Sequence, residues 1–285
     1  VLKPTTHNRI LEEFIAGCLR EDIGDGDHST LASIPGKATG KARLLIKQKG
    51  ILSGCKVAEE LFGIIDPGLK FEAFIDDGSR ISPGDIAFHV SGKIHSILKS
   101  ERLALNIMQR MSGIATSTGM YVEKLAGLDT RILDTRKTTP GMRFLEKEAV
   151  RAGGGMNHRM GLYDMIMLKD NHIDYAGGIE KAIRKTNDYL KKTKKNLLIE
   201  IEARNLDDVK KILETGGVNR IMLDNFSLAD TREAVRLIGK RYETESSGGI
   251  TLETIRDYAE CGVDFISVGA LTHHINSLDM SLKAF

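Results

Sequence analysis

The sequence is short of several residue types whose scarcity narrows the choice of protein class. It has no tryptophan, five prolines and three cysteines in 285 residues. The cysteines, Cys18, Cys55 and Cys261, are odd in number, far apart and outside any C-x-x-C pair, which argues against a disulfide framework and against a zinc site. No apolar run approaches the roughly 18 residues of a membrane span, and the first residues form no signal-peptide apolar core. We therefore expect a cytoplasmic protein without a membrane partner.

An excess of one charge sign is also missing. Lysine and arginine number 41 against 39 aspartates and glutamates, a formal net charge of +2. This balance gives no indication of a nucleic-acid partner or of binding to a membrane surface. Any recognition of anions must therefore be local. The length and the 41% hydrophobic content allow one large domain or two ordinary ones, each with a core.

Two parts of the chain follow different patterns. Up to residue 112, β-prone and helical runs are separated by turns such as Asp77-Gly78 and Pro83-Gly84, which is typical of an α+β domain. We expect an N-terminal α+β sandwich domain at 1–112, with the tail 274–285 packing against it. Residues 100–127 are helical in character, with a predicted break between two helices at Ser112-Gly113.

Residues 113–273 alternate short apolar strands with amphipathic helices. Strands are predicted at RILDTR, MIMLKD, LLIEIEA, RIMLDN, YETESSG and FISVGA. Helices are clearest at NLDDVKKILETG, LADTREAVRLIGK and TLETIRDYAECG. Such repetition predicts parallel strands with right-handed crossovers, in either a barrel or a doubly wound sheet.

Polar residues at the strand ends favour the barrel. Each predicted strand ends in a chemically capable or small residue: Arg136 and Lys137, Lys169 and Asp170, Glu202, Asp224, Ser247, and Gly269. In a barrel all strand ends meet at one mouth, whereas in an open sheet only those beside the switch point meet the ligand. No G-x-G-x-x-G or P-loop is present. Because six or seven strands are fewer than eight, we expect an incomplete TIM-like α/β barrel.

Cations are concentrated after the first two barrel strands. The group comprises Arg136, Lys137, His158, Arg159 and Lys169. Arginine offers a planar fork and lysine a point charge, so the mixture suits a ligand with several anionic groups. The alternative is a set of solvated surface charges. The run Gly153 to Gly155 would let the backbone approach a ligand just before His158 and Arg159, or would form a flexible loop.

Acidic and glycine-rich strand ends complement these cations. Glu202 and Asp224 could hold Mg²⁺ against a phosphate-bearing substrate, or could form structural salt bridges, for instance with Lys169 or Arg204. The segments SSGGI and SVGAL end the fifth and sixth strands, where barrels of this type cradle phosphate.

Taken together, these segments resemble a known family. The matching stretches are DTRKTTPGMRFLEKEAVRAGGGMNHRMGLYDMIMLKDNHI, IEIEARN, IMLDNF, SSGGIT, SVGALTH, EDIGDGDHST and SERLALNIMQRMSGIAT. The set covers nearly the whole chain and is similar to the quinolinate phosphoribosyltransferases. The resemblance implies phosphoribosyl transfer from phosphoribosyl pyrophosphate to quinolinate with Mg²⁺, giving nicotinate mononucleotide, pyrophosphate and CO₂ in NAD biosynthesis. It also implies a homodimer in which one subunit completes the other's site, and leaves open whether dimers form a hexamer.

The resemblance assigns roles position by position. Quinolinate-binding positions are matched by Arg136, His158, Arg159 and Lys169, and Arg102 matches the arginine given by the partner subunit. Lys137, Glu202 and Asp224 match the catalytic positions, the last two being metal- and ribose-side acids. The phosphate-binding loops are matched by Ser247, Gly248, Gly249, Gly269 and His273.

Three other functions stay open at this point. A Schiff-base lyase or aldolase would use Lys137 or Lys169 as its amine nucleophile. The molybdenum-transport-associated relatives of the same family share its fold. A phosphate-binding scaffold is the third alternative, although acids and bases that line one mouth favour an enzyme.

Overall fold

The computed structural model describes the backbone of residues 4–285 and the side chains of residues 9–285. Up to residue 124 the elements are α1 (Pro4–Ile23), α2 (His28–Ser33), β1 (Thr39–Ile46), β2 (Gly50–Ile51), α3 (Cys55–Ile65), β3 (Lys70–Ala73), β4 (Arg80–Ile81), β5 (Ile86–Lys93) and α4 (Ile94–Lys124). From residue 131 they are β6 (Arg131–Leu133), α5 (Arg143–Ala152), β7 (Ile166–Leu168), α6 (Asp170–Ala176), α7 (Ile179–Thr193), β8 (Ile199–Ala203), α8 (Leu206–Thr215), β9 (Arg220–Asp224), α9 (Leu228–Ile238), β10 (Glu243–Ser247), α10 (Ile255–Ala259), β11 (Phe265–Ser267), α11 (Ala270–His273) and β12 (Met280–Ala284). None of the helices in this described part has the length and apolar character needed to cross a membrane.

The first of two compact units contains the residues up to Ser117 together with Pro140–Gly153 and Ile275–Phe285. Its antiparallel sheet has the strand order β12-β1-β5-β3, so the C-terminal tail supplies an edge strand. Alternate residues of β1 are buried, namely Ala42, Leu44 and Ile46. This period of two directs one face of the strand into the core.

Helix α4 is continuous over 31 residues, so the predicted break at Ser112-Gly113 is wrong. Both residues make close contacts within the first unit. Ser112 Oγ accepts from the Ser53 amide at 2.9 Å and donates to the Ser53 carbonyl at 3.1 Å. A Cβ at Gly113 would overlap the carbonyl oxygen of Asn276. The small residues therefore allow other segments to approach the helix, rather than ending it.

Residues 140–153 belong to the first unit, whereas the sequence alone assigns them to the barrel domain. They contain α5, whose Phe144 packs edge-on against Phe14 with ring centroids 5.8 Å apart. The fully buried Glu146 also accepts two hydrogen bonds from the guanidinium of Arg110. These contacts explain why the segment groups with α1 and α4.

The second unit, Thr118–Thr139 with Gly154–His274, holds a six-stranded parallel sheet. Its strand order is β6-β11-β10-β9-β8-β7, so β6 and β7 form the two edges. Each strand lies within a segment predicted from the sequence, and the prediction of an incomplete α/β barrel is confirmed. Side chains cap two of its helices: Asn205 accepts from the Asp208 amide before α8, and Ser227 accepts from the Asp230 amide before α9. Helix α10 is shorter than predicted and begins at Ile255.

Candidate active site

A cavity of about 630 Å³ lies at the carboxyl ends of the parallel strands, and all its lining residues belong to the second unit. The predicted site residues that line it are Arg136, Lys137, His158, Arg159, Lys169, Glu202, Asp224, Ser247, Gly248, Gly249, Gly269 and His273. Arg102 is exposed on α4 in the first unit and is not among the lining residues of the described chain. The parallel topology thus brings together residues that are widely separated in sequence.

Several lining residues were missed by the sequence analysis. They are Thr135, Met167, Met222, Asn225, Glu245 and Thr251, whereas Ile250, Ser267, Val268 and Ala270 belong to the predicted phosphate segments SSGGI and SVGAL. Met167, Met222 and Glu245 each precede a predicted strand-end residue by two positions. Because alternate residues of a strand share a face, this spacing places them beneath Lys169, Asp224 and Ser247. The same period-two rule could have identified them from the sequence.

The basic side of the cavity is built around the end of β6. Fully buried Asp134 accepts from the His158 amide at 2.9 Å and from the Asn157 side-chain amide at 2.6 Å. These bonds tie the loop that carries His158 and Arg159 to β6. The Lys137 amide donates to Thr135 Oγ1 at 3.0 Å, and its carbonyl accepts from Thr272 Oγ1 at 2.8 Å. The backbone of Lys137 is therefore held while its side chain stays exposed.

The run of three glycines has a structural role that differs from the predicted one. Gly153 is the C-cap of α5, and Gly154 takes a left-handed conformation with φ at +89°. Among the described residues that line the cavity, none of these glycines appears. Met156 then pairs with Leu133 beside β6. The glycines end a helix and reverse the chain, which a ligand-binding interpretation did not foresee.

His158 faces two buried carboxylates. Its Nε2 lies 2.8 Å from Glu200 Oε2 and 3.4 Å from Glu245 Oε2. Burial alone would lower the pKa of His158, but hydrogen bonds and charges from the two glutamates raise it to about 9. An opposing influence is the Arg159 amide, which donates to Nδ1 at 2.6 Å and so disfavours a proton there. The Nε2 atom of His158 therefore lies in contact with both carboxylates, closer to Glu200 than to Glu245.

The acidic side of the cavity lies at the ends of the adjacent strands β8 and β9. Glu202 Oε1 lies 2.5 Å from Lys169 Nζ, so the ion pair considered as its structural alternative is present. Arg204 pairs instead with Asp174 and Asp208. Burial and the charge of Glu202 raise the pKa of Asp224.

A divalent cation would relieve the repulsion between Glu202 and Asp224. Mg²⁺ takes one or two protein carboxylates and completes its shell with water and phosphate oxygens. The donor set of this strand edge therefore fits Mg²⁺, although the ion would compete with Lys169 for Glu202.

A glycine turn follows β10, beside the end of the neighbouring strand β9. Gly248 has φ at +101°, and a Cβ there would overlap Asn225 Oδ1. Asn225, itself left-handed with φ at +56°, donates its amide to the Ser247 carbonyl at 2.8 Å. Its side-chain amide also donates to Asp224 at 2.9 Å. The turn thus needs glycine, and Asn225 links it to the acidic side.

The family models agree with this architecture. A model described as quinolinate phosphoribosyl transferase, N-terminal domain, matches residues 27–112, and the corresponding C-terminal domain model matches residues 114–283.

Relatives and solved structures extend the similarity to the whole chain. A Nicotiana tabacum protein named decarboxylating quinolinate phosphoribosyltransferase 1b is 44% identical over 299 residues, covering 99% of this chain and 85% of the relative. The chloroplastic carboxylating nicotinate-nucleotide pyrophosphorylase of Arabidopsis thaliana is 44% identical over 298 residues, with the same coverage of 99% and 85%. The crystal structure of NadC from Streptococcus pyogenes is similar with a TM-score of 0.92 and 38% identity, covering 100% of this chain and 99% of that one. The nicotinate-nucleotide pyrophosphorylase of Francisella tularensis gives a TM-score of 0.91 and 37% identity, with 98% and 97% coverage. The chain belongs to the quinolinate phosphoribosyltransferase family.

Proposed function

We propose that the protein transfers the phosphoribosyl group of phosphoribosyl pyrophosphate to quinolinate and that loss of CO₂ then gives nicotinate mononucleotide. The observation that carries this proposal is one cavity lined by cations, two acids and a glycine turn. Cations suit the two carboxylates of quinolinate, while the acids and the turn suit a magnesium-bound pyrophosphate and a 5-phosphate. The names of the relatives, quinolinate phosphoribosyltransferase and nicotinate-nucleotide pyrophosphorylase, agree with this activity.

Quinolinate is bound by the basic side in this mechanism. Arg136 and Arg159 line the same cavity, and burial together with the charge of Arg136 lowers the pKa of Arg159. A dianionic ligand would remove this repulsion, so the site is prepared for carboxylates before one arrives. The two planar guanidinium groups would also fix the orientation of the pyridine ring.

Phosphoribosyl transfer takes place between the basic and acidic sides. As the pyrophosphate leaves, C1 of the ribose gains oxocarbenium character, and the pyridine nitrogen attacks it. Glu202 and Asp224 would stabilise the positive charge at the ribose, and Lys137 would face the departing pyrophosphate. Mg²⁺, held by Glu202 and Asp224, would supply positive charge to the pyrophosphate oxygens.

Decarboxylation follows once the ring nitrogen, bonded to C1 of the ribose, is a pyridinium with one positive charge. The bond to the adjacent carboxylate breaks, its electrons stay on the ring carbon, and that carbon takes up a proton as CO₂ leaves. The protein needs only to hold this carboxylate in a site with little water. No covalent enzyme intermediate is required.

The direct test incubates the protein with quinolinate, phosphoribosyl pyrophosphate and Mg²⁺. We expect nicotinate mononucleotide and CO₂ in equal amounts, with no product after chelation by EDTA and recovery when Mg²⁺ is restored. Product formation in EDTA would contradict the magnesium requirement, and no product from folded protein in Mg²⁺ would contradict the activity itself.

Two further features belong to the same proposal. The enzyme works as a homodimer with shared sites, because the family resemblance matches Arg102 to the arginine that the partner subunit gives. A cytoplasmic location stays a prediction, since the names of some plant relatives place those proteins in chloroplasts or mitochondria.

The alternative functions are not favoured. A Schiff-base enzyme needs an uncharged amine, and Lys169 is engaged in an ion pair of 2.5 Å with Glu202. Borohydride trapping with a carbonyl substrate should therefore give no adduct at Lys169. The hypothesis of a molybdenum-transport-associated protein is also disfavoured, because relatives that match nearly the full chain are named for the quinolinate reaction.

A further inference from the structure

At the base of the cavity, the second unit holds a group of four ionisable side chains, of which Arg220 is partly exposed: His158, Glu200, Arg220 and Glu245. Glu200 lies on β8 and Glu245 on β10, and both are fully buried. Arg220, on the intervening strand β9, donates to Glu245 Oε2 at 3.1 Å. His158 Nε2 reaches Glu200 at 2.8 Å and Glu245 at 3.4 Å. This network is distinct from the acids at the strand ends.

Stability alone does not explain such a group. Removing charges from water costs several kcal/mol for each ion, and apolar residues of similar volume often stabilise a core as well or better. A neighbouring inward position, Met222 on β9, holds such a residue. The placement of two carboxylates against one histidine at the base of a cavity therefore points to a functional reason.

The histidine ring connects these carboxylates to the ligand-binding loop. Its Nε2 faces Glu200 and Glu245, while its Nδ1 accepts from the Arg159 amide at 2.6 Å. The Arg159 guanidinium in turn donates to the Met165 carbonyl at 3.3 Å. Both ring nitrogens are thus used inside the protein. The ring therefore connects the carboxylates inside the barrel to the backbone of Arg159.

We propose that Glu245 is a positioning residue that acts through His158 to hold Arg159 at the cavity. Glu245 fixes the Nε2 end of the ring, and the ring fixes the amide of Arg159. The identity of the ligand, quinolinate, rests on the proposed function, whereas the positioning itself does not. Asp134 supports the same loop from the β6 side through the His158 amide.

A metal ion is the rival explanation for this group. One nitrogen and two carboxylate ligand atoms lie within 4.8 Å of one another, a donor set that transition metals accept. However, the Arg220 guanidinium already pairs with Glu245 and would repel a divalent cation beside it. The internal ion-pair network is therefore the better account, and metal content is one readout of the test.

The test compares Glu245→Gln with Glu243→Gln. Both glutamates lie on β10 and both pair with Arg220, but only Glu245 contacts His158. After Glu245→Gln, Arg220 keeps Glu243 and His158 keeps Glu200, so we expect the fold to persist. We expect Glu245→Gln to raise the KM for quinolinate roughly tenfold, because the ring loses the charge of one of its two buried carboxylate neighbours and keeps the nearer one, Glu200. The KM for phosphoribosyl pyrophosphate and all constants of Glu243→Gln should be unchanged.

Coupling to the histidine is measured separately. If Glu245 acts through the ring, adding Glu245→Gln to His158→Gln should cause no further loss. Additive losses in the double variant would overturn the proposal.

A readout in ligand-free protein separates this proposal from the proposed function. The ¹⁵N shifts of the His158 ring should change in Glu245→Gln and not in Glu243→Gln, whether or not the protein turns over quinolinate. Unchanged shifts would overturn the positioning role, and so would a stoichiometric metal ion that is lost with Glu245→Gln. A changed shift in a protein inactive towards quinolinate would support the positioning and reject only the activity.

Discussion

Two adjacent cations, Arg136 and Lys137, open the basic side of the site. Arg136 is half-buried and shares its surroundings with Arg159, whereas Lys137 is exposed. The backbone of Lys137 is held on both sides by Thr135 and Thr272. Because the main chain is fixed and the side chain is not packed, the ammonium group can follow a moving anion. This arrangement suits a residue that faces a leaving pyrophosphate.

Lys137→Ala should abolish turnover without unfolding the protein. Replacing an exposed lysine changes the free energy of unfolding by no more than about 0.5 kcal/mol. Its positive charge, however, stabilises the negative charge of the departing pyrophosphate. Product formation and the thermal transition are measured on the same preparation. Lys211→Ala, which removes an exposed lysine from α8, is the matched control and should keep full activity. Loss of the thermal transition in Lys137→Ala would assign this lysine a structural role instead.

At the scale of elements, the strands of the second unit were predictable because buried parallel strands are short apolar runs that end in polar or small residues. The same rule gave Glu202, Asp224 and Ser247 as cavity residues. It missed Met222 and Glu245, because both lie inside their strands rather than at the ends. The period of two along a barrel strand is needed to place them on the face that lines the cavity. It could not give the contact partners of buried charges, because these depend on which strands are neighbours.

The first unit shows a second limit of predicting structure from sequence. Ser112-Gly113 predicts a helix break because both residues have low helix propensity, yet α4 runs through them. The contacts that override propensity come from Ser53 and Asn276, which are distant in sequence. Propensity is a local quantity and contains no information about such partners. The grouping of α5 with α1 was unpredictable for the same reason.

Substitution of two helical glycines tests whether close contacts keep α4 continuous. Gly113→Ala should lower the free energy of unfolding by roughly 1–3 kcal/mol, because its Cβ would overlap the Asn276 carbonyl. Gly63→Ala in α3 should instead raise it by about 0.5–1 kcal/mol, since nothing lies within 4 Å and alanine favours helix. Urea unfolding of both variants measures the difference. Equal stabilisation by both substitutions would show that close approach is not the reason for Gly113.

At the scale of the whole molecule, family membership and cavity chemistry point to the same reaction, but one predicted site residue lies elsewhere. Arg102 is exposed on α4 of the first unit, and within the described chain it does not line the cavity. In the proposed homodimer, Arg102 of one subunit would complete the cavity of its partner, as the family resemblance implies. The association of two chains would then be part of the catalytic machinery.

Mixing two inactive variants tests this sharing directly. Arg102→Ala and Lys137→Ala should each be inactive alone, because each homodimer lacks one group in both sites. In a mixed dimer, the subunit carrying Arg102→Ala has an intact Lys137 and receives Arg102 from its partner. One of its two sites is then complete. Random exchange between equal amounts should restore about a quarter of wild-type activity, because half the dimers are mixed and each has one complete site.

The control for this experiment replaces the Lys137→Ala protein with the double variant Arg102→Ala, Lys137→Ala. No mixed dimer then contains a complete site, so sharing predicts no recovery even though exchange proceeds as before. Exchange itself is followed with differently tagged subunits. If tagged subunits exchange and the two single variants still recover nothing, each site must use its own Arg102, and the homodimer would be an assembly without shared catalysis.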